Sequence, residues 1–141
     1  MRPNRERPPE LEVVVGRVGC DPPRVEGRDE WWNVRVDRGT ALGNPYMMGC
    51  EADREPVCAA YDLLMACTMG HGPVRSPHSG RTLVTIGRMC GFYGTIAPWG
   101  FNAVRARMGE LRQAAWSGRP LCLQCHCYPR QCHAETIFRW L

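Results

Sequence analysis

Leu121-Cys122-Leu123-Gln124-Cys125-His126-Cys127-Tyr128-Pro129-Arg130-Gln131-Cys132-His133 is the stretch that decides the fold. Its first seven residues are short and apolar enough to read as a buried strand. Pro129 marks Tyr128 to Gln131 as a turn, and a short helix begins near Cys132, with Ile137, Trp140 and Leu141 on its buried face. Upstream, Phe101, Val104, Met108, Leu111 and Ala115 recur at helical spacing, which predicts a helix from Phe101 to Trp116. Gly118-Arg119-Pro120 stops it. A helix that feeds a strand that feeds a helix points to an α/β fold. The expectation is a single layered domain over 11–141 with a small, partly parallel sheet flanked by helices.

The rest of the chain fits that frame. Leu11 to Val15 is short and β-branched, with Gly16 and Gly19 after it, and reads as a strand. Asp21 to Gly27 reads as a loop, and Trp31 to Val36 as a second strand. Asp53 is placed to cap a helix from Arg54 to Cys67, whose Val57, Tyr61, Leu64 and Met65 share a face. Residues 70–80 read as an exposed loop. Arg81 to Ile86 is rich in Thr, Val and Ile and reads as a strand, and 87–100 follows no single pattern.

Composition narrows the classes. No apolar run reaches the roughly 18 residues that span a bilayer, so no membrane partner is expected. The first ten residues hold three Arg and three Pro and no apolar stretch, so they read as a disordered lead-in without a secretory signal. The expected setting is intracellular and soluble. All 18 basic residues are Arg. Residues 1–70 carry nine Arg against twelve acids, a net −3, and residues 71–141 carry nine against Glu110 and Glu135, a net +7. A basic half made of guanidinium forks suits phosphate.

Nine cysteines need an explanation. Cys20, Cys50, Cys58, Cys67 and Cys90 are scattered and read as small buried apolar residues. Cys122, Cys125, Cys127 and Cys132 are clustered. On a strand, Cys125 and Cys127 share a face and His126 takes the other. Three chemistries fit. Cys125, Cys127, Cys132 and His133 make a three-thiolate, one-imidazole zinc set, although Cys-Xaa-Cys on a strand chelates poorly. Alternatively, Cys132 is a reactive thiolate, its pKa lowered by a helix start and Arg130, with His133 as acid or base and Cys125 beside it. The third reading is plain packing, and the spacing alone leaves all three open.

A second constellation is Gly43-Asn44-Pro45-Tyr46. Gly and Pro shape a turn that brings backbone near a ligand, and an Asn amide both donates and accepts. The competing reading is an Asx turn in which Asn44 bonds its own backbone.

Taken together, the two constellations resemble one family, called domain of unknown function 4326. Val34 to Tyr46 resembles its opening motif, a strand ending in Gly-Arg and then Gly-Asn-Pro-Phe. Leu123 to His133 resembles its closing motif, a strand, Cys-Xaa-Cys, a Pro, and Cys-His-Gly-Asp at a helix start. Arg54-Glu55-Pro56-Val57 with Tyr61 resembles its central helix. The resemblance covers about 11–67 and 101–141, and residues 68–100 read as a variable insertion. It implies that both end motifs build one site from Arg38, Gly43, Asn44, Pro45, Cys125, Cys127, Cys132 and His133. The chain departs from the pattern at Asp37 (often Gly), Tyr46 (Phe), His126 (an aromatic), Ala134 (Gly) and Glu135 (Asp).

Two functions follow as expectations. One is a nucleotide- or modified-base-handling domain, an enzyme if the Cys125, Cys132 and His133 set is reactive. Asn44 would then recognise the ligand, and Arg38 and Arg130 would hold phosphate. The other is a non-catalytic, Arg-rich module that binds nucleic acid or a protein assembly, its cysteines structural or zinc-binding.

Overall fold

The computed structural model describes residues 12–22, 30–75, 79–127 and 130–141. The proposed lead-in at 1–10, most of the loop at 21–27, and Tyr128 and Pro129 of the turn lie outside them. Strands β1 (Val13–Arg17), β2 (Trp32–Arg35) and β3 (Leu121–Cys125) form one sheet in the order β1-β3-β2. All three described strands run parallel, with Val13 and Trp32 both in register with Leu121. The sheet is therefore wholly parallel rather than partly so. Parallel sheets need cover on both faces, and all five residues of the central β3 are buried. Complete burial of Leu121 and Leu123 stabilises by roughly 1.5–3 kcal/mol each.

Four helices supply the cover: α1 (Arg54–Thr68), α2 (Gly80–Met89), α3 (Phe101–Trp116) and α4 (Ala134–Trp140). Helix α3 has the expected bounds, because Val104, Met108, Leu111 and Ala115 form one buried stripe. Helix α4 packs on β1, β3 and α1, and α1 also meets α2. The Trp116 indole N–H donates to the Leu141 carbonyl at 2.8 Å, which ties α3 to the end of the chain.

Two expectations need correcting and a third needs refining. Arg81 to Ile86 is not a strand but the body of α2. Ser79 caps that helix by accepting from the Thr82 N–H, and Leu83, Ile86 and Gly87 are buried together at helical spacing. The β-branched content pointed to a strand, and amphipathic burial outweighed it. Strand β1 runs on to Arg17 through Gly16, where a Cβ would sit 2.8 Å from the Cys122 sulfur. That glycine is in the strand because the neighbouring strand's side chain crowds it. Asp53 stands at the N-cap of α1 as expected but makes no side-chain cap bond there: its carboxylate accepts instead from Gly49 N–H at 2.8 Å and Cys50 N–H at 3.3 Å.

The 68–100 segment buttresses the Gly-Asn-Pro loop from behind. Tyr46 bridges to Ile96, Ala97 N–H donates to the Pro45 carbonyl at 2.8 Å, and Met47 N–H donates to the Thr95 carbonyl at 3.0 Å. The Tyr46 ring is fully buried edge-on to Phe92, and its hydroxyl donates to the Leu83 carbonyl of α2 at 2.7 Å. Burial pushes that phenol's pKa up, so the hydroxyl stays a donor. The Tyr that stands in the place of Phe thus gains a bond to α2. Tyr46→Phe is expected to cost about 1 kcal/mol, the usual net value of one hydrogen bond. Urea unfolding monitored by circular dichroism measures it, and an unchanged midpoint would show that the bond adds nothing.

Candidate functional site

The parallel strands β2 and β3 end side by side, and the site gathers beyond their carboxyl ends, where α/β sheets bind ligands. The ladder runs one residue past β2, with Val36 N–H donating to the Gln124 carbonyl at 2.9 Å. The Val36 carbonyl then accepts from His133 Nε2 at 2.5 Å. With its proton on Nε2, the neutral ring turns the Nδ1 lone pair the other way. That nitrogen lies 3.8 Å from Cys125 Sγ and 3.7 Å from Cys132 Sγ. Tyr61 of α1 holds the ring from the side, with centroids 4.9 Å apart and planes at 74°. The Tyr61 hydroxyl is itself fixed, donating to the Leu42 carbonyl at 2.7 Å.

Cys125, Cys132 and His133 are all buried, and their three ligand atoms lie within 4.8 Å of one another. They open into a pocket of about 240 Å³. Asp37, Arg38 and Asn44 line it from the β2 side, and Arg54, Val57 and Cys58 from α1. The two end motifs therefore share one pocket.

The match that decides the family covers residues 24–141 and carries the description Domain of unknown function (DUF4326). The chain belongs to this family. Its matched span includes residues 68–100, so the buttress around α2 lies within the domain. No curated protein and no solved structure matches the chain.

Within this DUF4326 domain the expected residues divide into two groups. Arg38, Asn44, Cys125, Cys127, Cys132 and His133 line the pocket, whereas Gly43, Pro45 and Arg130 do not. Gly43 is needed by the turn, since a Cβ there would sit 2.7 Å from both Arg38 Cα and the Asp37 carbonyl oxygen. Asn44 makes the Asx turn: its Oδ1 accepts from Tyr46 N–H at 3.0 Å, and its Nδ2 donates to the Val57 carbonyl at 3.3 Å. Its amide holds loop to helix with both ends, so it is a wall of the pocket before it is a reader. Arg130 reaches out to Glu51 at 3.4 Å, largely exposed.

The cysteine expectations change as well. Cys127 is outside the three-atom cluster and lies against the Arg54 guanidinium. The same-face argument fails because β3 ends at Cys125 and the chain bends at 126 and 127. Cys20 and Cys50 are exposed, not packed, while Cys58 and Cys67 are buried as expected. Helix α4 begins at Ala134 and is seven residues long, and the Ala134 N–H donates to Cys132 Sγ at 3.4 Å. The helix start thus serves a sulfur.

The charge on the thiols also lies elsewhere than expected. The Cys132 thiol donates to Cys125 and pulls the Cys125 thiol down to about 4 against the cost of burial. The Cys125 thiolate and burial push Cys132 up. The two behave as a pair that retains one proton. Cys58, by contrast, is raised to about 11, chiefly by burial.

Sequence reasoning missed Asp37, Arg54 and the Val36 carbonyl. Asp37 is buried, accepts from Arg35 Nη2 at 2.5 Å, and meets His126 Nε2 at 3.1 Å. The Arg35 hydrogen bond holds its carboxyl below the usual range. Arg54 grips both Glu51 oxygens at 2.6 and 3.0 Å and donates to the Gln131 carbonyl at 2.9 Å, clamping the turn after β3 to α1. The signal for Asp37 was present as an acid where the family pattern often has Gly.

The thiol pair gives the metal-free protein a defined pH dependence. Cys125's contribution to stability is complete above the ordinary thiol value of 9.0 and is lost as pH falls through about 4. Cys132's contribution is present below 9.0 and is lost as pH rises above it. Between these limits the folded pair holds one proton fewer than the unfolded chain, so stability rises with pH. Urea midpoints in chelator and reductant are expected to climb from pH 5 to pH 8. Cys132→Ala, which removes the donated proton, should flatten that slope, and a slope that survives the change would rule out the shared proton.

Proposed function

We propose that this domain is a nucleotide- or modified-base-handling enzyme whose centre is the Cys125, Cys132 and His133 cluster, and that the cluster holds zinc. The observation that carries the reading is the His133 ring, pinned through Nε2 to Val36 while Nδ1 faces two sulfurs. A metal-bound histidine characteristically donates its other ring nitrogen to a backbone carbonyl in this way. Two thiolates and one imidazole suit zinc by softness. Three protein ligands leave one tetrahedral position, the mark of a catalytic rather than a structural site. The chemistry a metal supplies there is activation of water or polarisation of a substrate oxygen.

The chain's own residues set the rest. Burial of the cluster keeps bulk water from the ligand atoms. Arg38 is exposed at the pocket's edge, and no partner engages it among the described residues, so it is placed to hold a phosphate. Met48 and Val57 give an apolar wall suited to a flat base. At about 240 Å³ the pocket is below the 300–1,000 Å³ typical of larger ligands. That size favours one nucleoside over a dinucleotide.

A metal-free variant of the reading has a specific support of its own. The Cys125 thiol, lowered by the hydrogen bond from the Cys132 thiol, would serve as a thiolate nucleophile at neutral pH. One measurement separates the two. Protein purified without chelator should carry about one zinc per chain by elemental mass spectrometry, with its ligands drawn from the three-residue set. Cys125→Ser or His133→Ala should abolish it, and Cys127→Ser should retain it. Full-length protein with no metal above background would sink the zinc centre. Small molecules released on denaturation of the same sample, identified by mass spectrometry, test the ligand class: a nucleotide or base supports it, and an unrelated compound removes it.

A further inference from the structure

We infer that Asp37 reads the ligand, by accepting a hydrogen bond from an amino or ring N–H group on a nucleobase edge. This rests on the nucleotide reading above and deepens it by naming the feature recognised. Asp37 lines the pocket and is itself more than nine-tenths buried. Its Oδ2 is occupied by Arg35 and His126. Its Oδ1 is shielded from solvent and has no hydrogen-bond partner. A buried carboxylate oxygen without a donor is costly, and native structures rarely leave one so.

The surroundings select what completes it. The Arg35 guanidinium keeps the carboxyl ionised, so it accepts and does not donate. The last torsion of an Asp side chain is broad and close to twofold, so a small turn offers either oxygen to the pocket. Asn44, the other buried polar side chain on this wall, already has both ends of its amide engaged. Arg38 follows Asp37 directly and is exposed where Asp37 is buried. A nucleoside monophosphate matches that order, with a donor-bearing base on Asp37 inside and its phosphate at Arg38 outside. Anions at the base position are excluded by the carboxylate, as are bases whose edge carries acceptors alone.

The test is calorimetric titration of the full-length, zinc-replete protein with AMP, CMP, GMP, UMP and purine riboside 5′-monophosphate. The last has the shape of AMP without the amino group. The four donor-bearing nucleotides include at least one binder, and AMP binds about tenfold or more tightly than the purine riboside compound. Asp37→Asn, which keeps the size and puts a donor in place of an acceptor, loses that preference with zinc content unchanged. AMP and its amino-free analogue binding equally, or Asp37→Asn binding AMP as the parent does, overturns the role of Asp37 and leaves the nucleotide reading standing. If none of the five binds, the nucleotide reading itself falls and takes this inference with it. The comparison between ligands on the parent protein stands even where the variant does not fold.

Discussion

The bond from His133 Nε2 to the Val36 carbonyl is the constraint on which the site depends. It closes a loop between residues 97 apart in sequence. Val36 lies just beyond the end of β2, and His133 just before α4, so the bond fixes the helix against the sheet edge. It also decides the chemistry of the ring. A proton committed to Nε2 leaves one lone pair on Nδ1, and that lone pair points at two sulfurs instead of at water. Without it, the same three residues would be a buried imidazole beside two thiols with no preferred arrangement. Packing supports the bond on the remaining side, where Tyr61 closes on the ring.

The Gly43 to Tyr46 loop is a second layer of the same design. Asn44, Gly43 and Pro45 spend their polar groups on the loop, on α1 and on the 68–100 segment. These bonds set where Asp37 and Arg38 stand. The Asp37 carbonyl accepts from both the Thr40 N–H and the Thr40 hydroxyl, so the turn after β2 is held by backbone while the carboxylate is left for other work. The motif is thus a scaffold, and the residues just before it face the pocket. Residues 68–100 act at one remove again, through the Tyr46 hydroxyl and the Ile96 bridge.

Much of this was legible in the sequence, because it follows from periodicity and punctuation. Phe101 to Trp116 announces itself by a single apolar stripe and a Gly-Arg-Pro stop, and β3 by an unbroken apolar run. The pairing of two distant motifs in one pocket was also legible, through their resemblance to one family. What was not legible depends on tertiary contacts. Nothing in Arg81 to Ile86 says that Leu83 and Ile86 have a core to face, and so a β-branched run looked like a strand. Spacing put Cys127 on the same face as Cys125 because it assumes that the strand continues, and β3 stops. The proton on the thiol pair could not be read from neighbours in sequence: Cys132 sits beside a helix start, but the group that matters to it is Cys125, seven residues away and in contact only in the fold.

Asp37 illustrates why departures from a family pattern repay physical attention. A Gly at that position would leave the Arg35 and Arg38 charges at the exit of β2 without a carboxylate, and neither Arg35 nor His126 engaged there. An Asp there recruits both and keeps a carboxylate buried at the mouth of a thiol-rich pocket. Burying an ion is expensive unless its lone pairs are used. One oxygen is satisfied by protein on the sheet side, and the other is not. His126 remains mostly exposed and spends a ring nitrogen on Asp37. Asp37 and His126 thus form one hydrogen-bonded unit with Arg35 beside the two motifs. In the proposed reading the cluster of Cys125, Cys132 and His133 would supply reactivity that such a unit cannot, and the carboxylate directional recognition that sulfur cannot. The division of labour follows from the donor and acceptor capacities of the side chains themselves.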